Sequence, residues 1–315
     1  MHTCKGFRSS SLIDIRNVNM QLSKFSKKLD ILELNFEMGN EQLLKLQKKG
    51  VEMSLYKTLS ASKGFFLIAG PCVVEDEDLM MKVAHRLLQE TTMRNIPLVF
   101  KSSYKKANRT SIDSPTGVGI DEGLRILQKI KERFNLPILT DVHETAEVEA
   151  VAEVADIIQI PAFLSRQTDL LLAMARTGRI VNIKKGQFMA PQDMKAAAEK
   201  VLSENNYNIL LTERGSSFGY HNLVVDFRGF SIMKDLGYPV VYDVTHSLQQ
   251  PSIDKVSGGT PQFVPMMARA ALATKMVDGL FIETHPNPQE AHSDAASMLP
   301  LNQIPGVLDS CLELY

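Results

Sequence analysis

An apolar run of four to six residues, closed by a polar or small residue and followed by a helix-like amphipathic stretch, recurs eight times after residue 64. The runs are Phe65–Gly70, Leu98–Lys101, Ile138–Asp141, Ile157–Pro161, Ile180–Lys184, Ile209–Arg214, Val240–Asp243 and Leu280–Glu283. Unbroken apolar runs, rather than alternating ones, suit parallel strands covered on both faces. Between them, Glu77–Thr92, Gly117–Phe134, Glu144–Val154, Arg166–Gly178, Pro191–Glu204 and Pro261–Val277 carry helical spacing. Pro191 suits a first helical turn and Gly178 a helix end. Eight strand–helix units in about 250 residues predict an α/β chain folded as one (β/α)8, or TIM, barrel. A doubly wound sheet would usually carry Gly-x-Gly-x-x-Gly after its first strand, whereas this chain has Gly70-Pro71-Cys72.

Bulk properties narrow the function. Over 315 residues the formal net charge is −1, so an anion site must be local rather than a property of the whole surface. The basic stretch Lys101–Arg109 has no aromatic ladder and no long cationic tract, which excludes nucleic acid as a partner. No apolar run has the length of a membrane span. Three scattered cysteines, Cys4, Cys72 and Cys311, predict a reducing compartment, and hence a cytoplasmic location.

Residues 1–60 read as an N-terminal extension and 61–315 as the barrel. Ser23 to Val51 has helical spacing without a strand. The run Lys48-Lys-Gly-Val-Glu-Met53 can be encoded by a purine-rich stretch resembling a bacterial ribosome-binding site. Met53 is therefore the expected native start, the alternative being an extension that packs on the barrel or mediates assembly.

In a (β/α)8 barrel the chemistry sits at the C-terminal strand ends. Here those tips are Cys72, Lys101, Asp141–His143, Gln159, Lys184, Arg214, Asp243–His246 and Glu283–His285. One such residue is readily a helix cap or a structural ion pair. A full rim of them points to a site, because a buried charge is costly unless paired or used. Lys101, Lys106, Arg109, Arg166, Lys184 and Arg214 predict one or two substrates carrying several negative charges. Cys72, His246, Glu283 and Asp294 offer a thiolate, an imidazole and two carboxylates, a borderline set for Zn²⁺, Fe²⁺ or Mn²⁺. Their dispersion gives no spacing motif, and a small buried cysteine is more often core.

The chain from residue 65 onward resembles the 3-deoxy-D-manno-octulosonate 8-phosphate synthases. The matching stretches include Ile68-Ala-Gly-Pro-Cys72, Phe100-Lys-Ser-Ser103, Lys106-Ala-Asn-Arg109, Thr140-Asp-Val-His-Glu144, Asn182-Ile-Lys-Lys-Gly-Gln-Phe188, Thr212-Glu-Arg-Gly215, Asp243-Val-Thr-His-Ser247 and Glu283-Thr-His-Pro286. The resemblance implies a (β/α)8 homotetramer. It also implies an enzyme that condenses phosphoenolpyruvate with D-arabinose 5-phosphate and water, releasing phosphate, on the way to lipopolysaccharide. Carried over residue by residue, Lys101, Lys106, Arg166, Lys184 and Arg214 hold phosphoenolpyruvate. Asn108, Arg109 and Thr110 hold the pentose phosphate, with Asp141 and Gln159 near its hydroxyls. Lys101, Lys106, Lys184, Asp141 and His246 are the expected catalytic residues. A cysteine after the first Gly-Pro, where the other branch of the family carries Asn, implies the metal-dependent branch, with Cys72, His246, Glu283 and Asp294 as ligands. Lys105 has no counterpart role and is expected to face water.

The chain departs from the family at Thr110, which keeps the hydroxyl of the usual Ser, in residues 1–60, which have no counterpart, and in two further places. Thr116 stands where an Arg is usual, removing a distal contact or subunit-interface pair, and the loop Leu248–Gly259 is short. The nearest rival chemistry uses erythrose 4-phosphate, and that family carries Lys-Pro-Arg-Thr where this chain has Lys106-Ala-Asn-Arg109. A rival of another class, a non-catalytic sugar-phosphate binder, should have lost metal ligands or phosphate cations, and none is missing here.

Overall fold

The computed structural model describes residues 54–107, 115–251 and 258–315. The expected start at Met53 and the pentose-phosphate residues Asn108, Arg109 and Thr110 lie outside these. Leu55–Tyr315 forms one compact unit.

Eight parallel strands close into a barrel: β1 Phe66–Gly70, β2 Leu98–Lys101, β3 Ile138–Asp141, β4 Ile157–Ile160, β5 Ile180–Lys184, β6 Ile209–Glu213, β7 Val240–Asp243 and β8 Gly279–His285. They pair in sequence order, and β8 returns to β1 with Gly279 opposite Phe66 and Glu283 opposite Gly70. This is the expected (β/α)8 architecture, with β8 running two residues past the predicted end. The helices are α1 Leu55–Ser60, α2 Glu77–Thr92, α3 Ile120–Phe134, α4 Val148–Val154, α5 Thr168–Arg176, α6 Met194–Ser203, α7 Arg228–Lys234, α8 Val264–Ala273 and α9 Ile304–Leu312. Single 3-10 turns at Thr145–Glu147, Pro191–Asp193 and Pro261–Phe263 lead into α4, α6 and α8. Asp76 caps α2, accepting a hydrogen bond from the Leu79 amide at 2.9 Å. Gly178, at φ +70, follows α5 and donates its amide to the Ala175 carbonyl.

The strand pleat sorts side chains into two cores. Leu67, Phe100, Ile138, Ile158, Val181, Ile183, Leu211, Tyr242 and Ile282 face the helices and join their apolar stripes in one large cluster. Phe66, Ile68, Val99, Leu139, Ile157, Ile180, Leu210, Val241 and Phe281 face inward and fill the barrel's N-terminal half. Helix α1 packs against this plug through Leu55, Tyr56 and Leu59, and the Tyr56 hydroxyl donates to the Ile209 carbonyl at 3.2 Å. No helix among the described residues is long and apolar enough to cross a membrane.

Candidate active site

Two residues beyond each inward apolar position, the same strand faces present polar groups. Val99 is followed by Lys101, Leu139 by Asp141, Ile157 by Gln159, Val241 by Asp243 and Phe281 by Glu283. On β5 the sequence runs Ile180, Asn182, Lys184. All of these polar side chains are buried. At β1 the equivalent position is Gly70, where a Cβ would lie 2.1 Å from the Lys101 carbonyl oxygen. A larger residue there would force β2 away.

The polar layers are linked by hydrogen bonds and ion pairs. Thr212 donates to the Asn182 side-chain oxygen at 2.6 Å, and the Asn182 amide donates to the Gln159 side-chain oxygen at 2.9 Å. Above them, Lys101 Nζ pairs with Glu283 Oε1 at 2.8 Å and donates to Ser103 Oγ at 3.1 Å. Lys106 Nζ reaches Ser103 Oγ at 2.9 Å and lies 4.0 Å from Glu283 Oε1. Ser103 itself donates to Asp141, whose other oxygen is 3.1 Å from His143 Nε2. Lys184 Nζ pairs with Asp243 Oδ2 at 2.5 Å and sits 4.0 Å above the centre of the Phe281 ring. Arg214 donates to the His246 carbonyl and to Gln249 Oε1, both at 3.2 Å, and its Nη1 is buried without a partner.

These neighbours set the protonation states. Burial works to raise the Glu283 carboxyl, but Lys101, His246 and Lys106 hold it down at about 2. Burial acts the same way on Asp141, and His143, Lys106 and Lys101 outweigh it. Burial works to lower Lys106, yet the surrounding Cys72, Glu283, Asp141 and Asp294 raise it well above the ordinary lysine value. Lys184 goes the other way: burial lowers it, and Asp243 only partly compensates.

Beside the lysines, Cys72, Glu283 and Asp294 bring ligand atoms within 4.8 Å of one another. Burial and the carboxylates of Asp294 and Glu283 push the Cys72 thiol well above its usual range. Its Sγ lies 3.2 Å from Asp294 Oδ2 and 3.1 Å from Ser293 Oγ. His246 Nδ1 is held at 2.8 Å by Asp243 Oδ2, leaving Nε2 3.6 Å from Glu283 Oε2 and 3.8 Å from Asp294 Oδ2. Glu283 Oε2 is buried without a hydrogen bond. A thiol against two carboxylates, an orphaned carboxylate oxygen and an imidazole whose far nitrogen is anchored by a carboxylate form a fitting donor set for a divalent cation. Cys72, Glu283 and Asp294 form the compact cluster, and His246 reaches it through Glu283 and Asp294.

The structure thus gathers Cys72, Lys101, Lys106, Asp141, Lys184, Arg214, His246, Glu283 and Asp294 at the mouth, with Gln159 one layer below. Arg166 is exposed in the segment before α5, and its carbonyl accepts from Lys200 Nζ at 2.9 Å; no described contact draws it into the cluster. Lys105 does not merely face water. It pairs with Glu147, which also accepts the Tyr104 hydroxyl at 2.7 Å. Asp243, Ser103 and His143 stand at or near predicted strand tips but drew no role from sequence. Each acts through neighbours that only the folded barrel supplies.

Residues 58–313 match the family model described as the DAHP synthetase I family. The chain is 51% identical over 267 residues to a 2-dehydro-3-deoxyphosphooctonate aldolase of Cyanothece sp., covering 84% of this chain and 97% of the relative. Identity to the protein of the same name from Pelobacter propionicus is 52% over 251 residues, or 79% of this chain and 92% of that one. For the Granulibacter bethesdensis protein of that name it is 54% over 241 residues, or 76% and 85%.

Proposed function

The chain belongs to the DAHP synthetase I family, alongside the 2-dehydro-3-deoxyphosphooctonate aldolases, and from that premise we propose that its barrel mouth condenses phosphoenolpyruvate with D-arabinose 5-phosphate and water. The products are 3-deoxy-D-manno-octulosonate 8-phosphate, a lipopolysaccharide precursor, and inorganic phosphate. The observation that carries the reading is the convergence of Lys101, Lys106, Lys184 and Arg214 at one end of the barrel, with Arg214 Nη1 buried and unpartnered. Such a group costs stability unless an anion meets it.

In this reading Lys101, Lys106, Lys184 and Arg214 hold the phosphate and carboxylate of phosphoenolpyruvate, and Arg166 joins them from the rim. Asn108, Arg109 and Thr110 hold the phosphate of the pentose, while Asp141 and Gln159 face its hydroxyls. Carbon 3 of phosphoenolpyruvate bonds to the aldehyde carbon, water adds at carbon 2, and the carbon–oxygen bond to phosphate breaks. Fixing both partners in attack geometry is worth up to about 7–11 kcal/mol in the best intramolecular cases. Two buried lysines beside the Phe281 ring favour the negative charge of the departing phosphate. Asp243 keeps the His246 proton on Nδ1, so that Nε2 stays available as a ligand.

Cys72, His246, Glu283 and Asp294 would hold a divalent metal ion, Zn²⁺, Fe²⁺ or Mn²⁺. Such an ion, when bound, supplies a Lewis acid. We further assign the chain to the cytoplasm as a homotetramer, on family resemblance.

The test is phosphate release from phosphoenolpyruvate with arabinose 5-phosphate and erythrose 4-phosphate in parallel, with and without prior chelation. The pentose phosphate should support turnover, and chelation should abolish it until a divalent metal is restored. Equal or faster turnover with erythrose 4-phosphate would reassign the acceptor. Full activity after chelation would remove the metal.

A further inference from the structure

Lys184 and Lys185 are neighbours that the pleat of β5 sends to opposite sides of the sheet. Lys184 faces the mouth. Lys185 points outward with Val181 and Ile183, toward the helical layer, and is completely buried there. On β6, Glu213 shares the outward parity of Ile209 and Leu211 and is also buried.

These two outward residues meet behind the site. Lys185 Nζ lies 3.4 Å from Glu213 Oε1, 3.1 Å from Ser216 Oγ, 3.2 Å from the Met189 carbonyl and 3.4 Å from the Gly186 carbonyl. Glu213 Oε1 also accepts the backbone amides of Arg214 at 2.9 Å and Gly215 at 2.6 Å. The Lys185 amide donates to the Thr212 carbonyl at 2.8 Å, and the Ser217 amide to the Gln187 carbonyl at 3.0 Å. One ammonium and one carboxylate thus join the turn that follows Lys184 to the turn that contains Arg214. Neither side chain opens on the mouth.

A buried ion pair is a weak source of net stability against an apolar pair of equal volume, so its presence calls for another role. We propose that Lys185 and Glu213 are positioning residues. They form an outer clamp that fixes the spacing between Lys184 and Arg214, and thereby the affinity for the doubly anionic end of phosphoenolpyruvate. The proposal rests on the assignment of Lys184 and Arg214 to that substrate. It extends that assignment to residues that touch no substrate, and it predicts that their effect is confined to one of the two phosphorylated substrates.

The clamp is tested by calorimetric binding of phosphoenolpyruvate to the full chain, alongside steady-state kinetics in both substrates. Lys185→Met should weaken phosphoenolpyruvate binding by about 10–100-fold, the scale of a misplacement of about 1 Å. The KM for arabinose 5-phosphate should move by less than about twofold. Lys185→Met combined with Glu213→Gln, which removes the stranded carboxylate, should recover part of the loss. A purely structural pair would lower the melting temperature and leave phosphoenolpyruvate affinity unchanged, or raise both KM values together; either result overturns the clamp. Should Lys185→Met not fold, Ser216→Ala removes a single acceptor of the ammonium. It should still weaken phosphoenolpyruvate selectively, and unchanged affinity would overturn the proposal. Arg214→Ala serves as the control. If the parent chain binds no phosphoenolpyruvate, or Arg214→Ala leaves its binding intact, the assignment of substrate fails rather than the clamp.

Discussion

The lower and upper halves of the barrel interior are built from the same strand faces and have opposite contents. Below lie Phe66, Ile68, Val99, Leu139, Ile157, Ile180, Leu210, Val241 and Phe281, a dry plug closed by α1. Farther along, the same faces carry Lys101, Asp141, Lys184, Asp243 and Glu283, all buried and all in contact with an opposite charge or a hydrogen-bond partner. Position along a strand therefore decides whether a side chain joins the apolar plug or the charged layer. The apolar plug supplies a fixed, low-dielectric base, and charges held above it interact more strongly than they would in water. Phe281 is the seam: its ring belongs to the plug, while Lys184 and Lys101 lie 4.0 and 5.4 Å from its centre.

The contrast can be broken from either side. The largest expected effect is at the mouth. Arg214→Ala removes a cation with no carboxylate partner of its own among the described hydrogen bonds, and should lower kcat/KM by about 10²–10³-fold. Its melting temperature should move by no more than about 2–4 °C. A collapse of stability with unchanged turnover per folded molecule would erase the distinction. In the plug, Leu210→Ala should cost about 2–5 kcal/mol in urea unfolding, while KM for both substrates stays at the parent value. Acid separates the halves next. Glu283 titrates at about 2 in the folded chain against an ordinary 4.5. A depressed folded value contributes stability above the unfolded one, and that contribution is lost as the pH falls from about 4.5 through about 2. Metal-stripped protein should lose stability over that window. The parent and Leu210→Ala should share the slope, and Glu283→Gln should flatten it. The smallest effect belongs to Lys105→Ala, which breaks a partly exposed pair with Glu147 on the rim. It should cost under about 1 kcal/mol and leave turnover unchanged.

The strands were legible because each is an apolar run without a break, and a fully covered parallel strand needs nothing else. Helix α1 was not, since Leu55-Tyr-Lys-Thr-Leu-Ser60 is too short to display a period. Its place is set by the plug beneath it. The cations at the mouth followed from counting strand tips. The candidate metal ligands did not: Cys72 and Asp294 are separated by 222 positions, and resemblance rather than spacing brought them together. Lys105 was misread because its partner, Glu147, lies 42 residues away on another unit. The pairing of Lys185 with Glu213 was hidden for a related reason. Which of two adjacent lysines faces the mouth depends on strand parity, which the tandem Lys184-Lys185 does not reveal.

Helix α1 and the plug together have a consequence for traffic. A barrel sealed at one end is a blind well, so three reactants and two products must use the same opening.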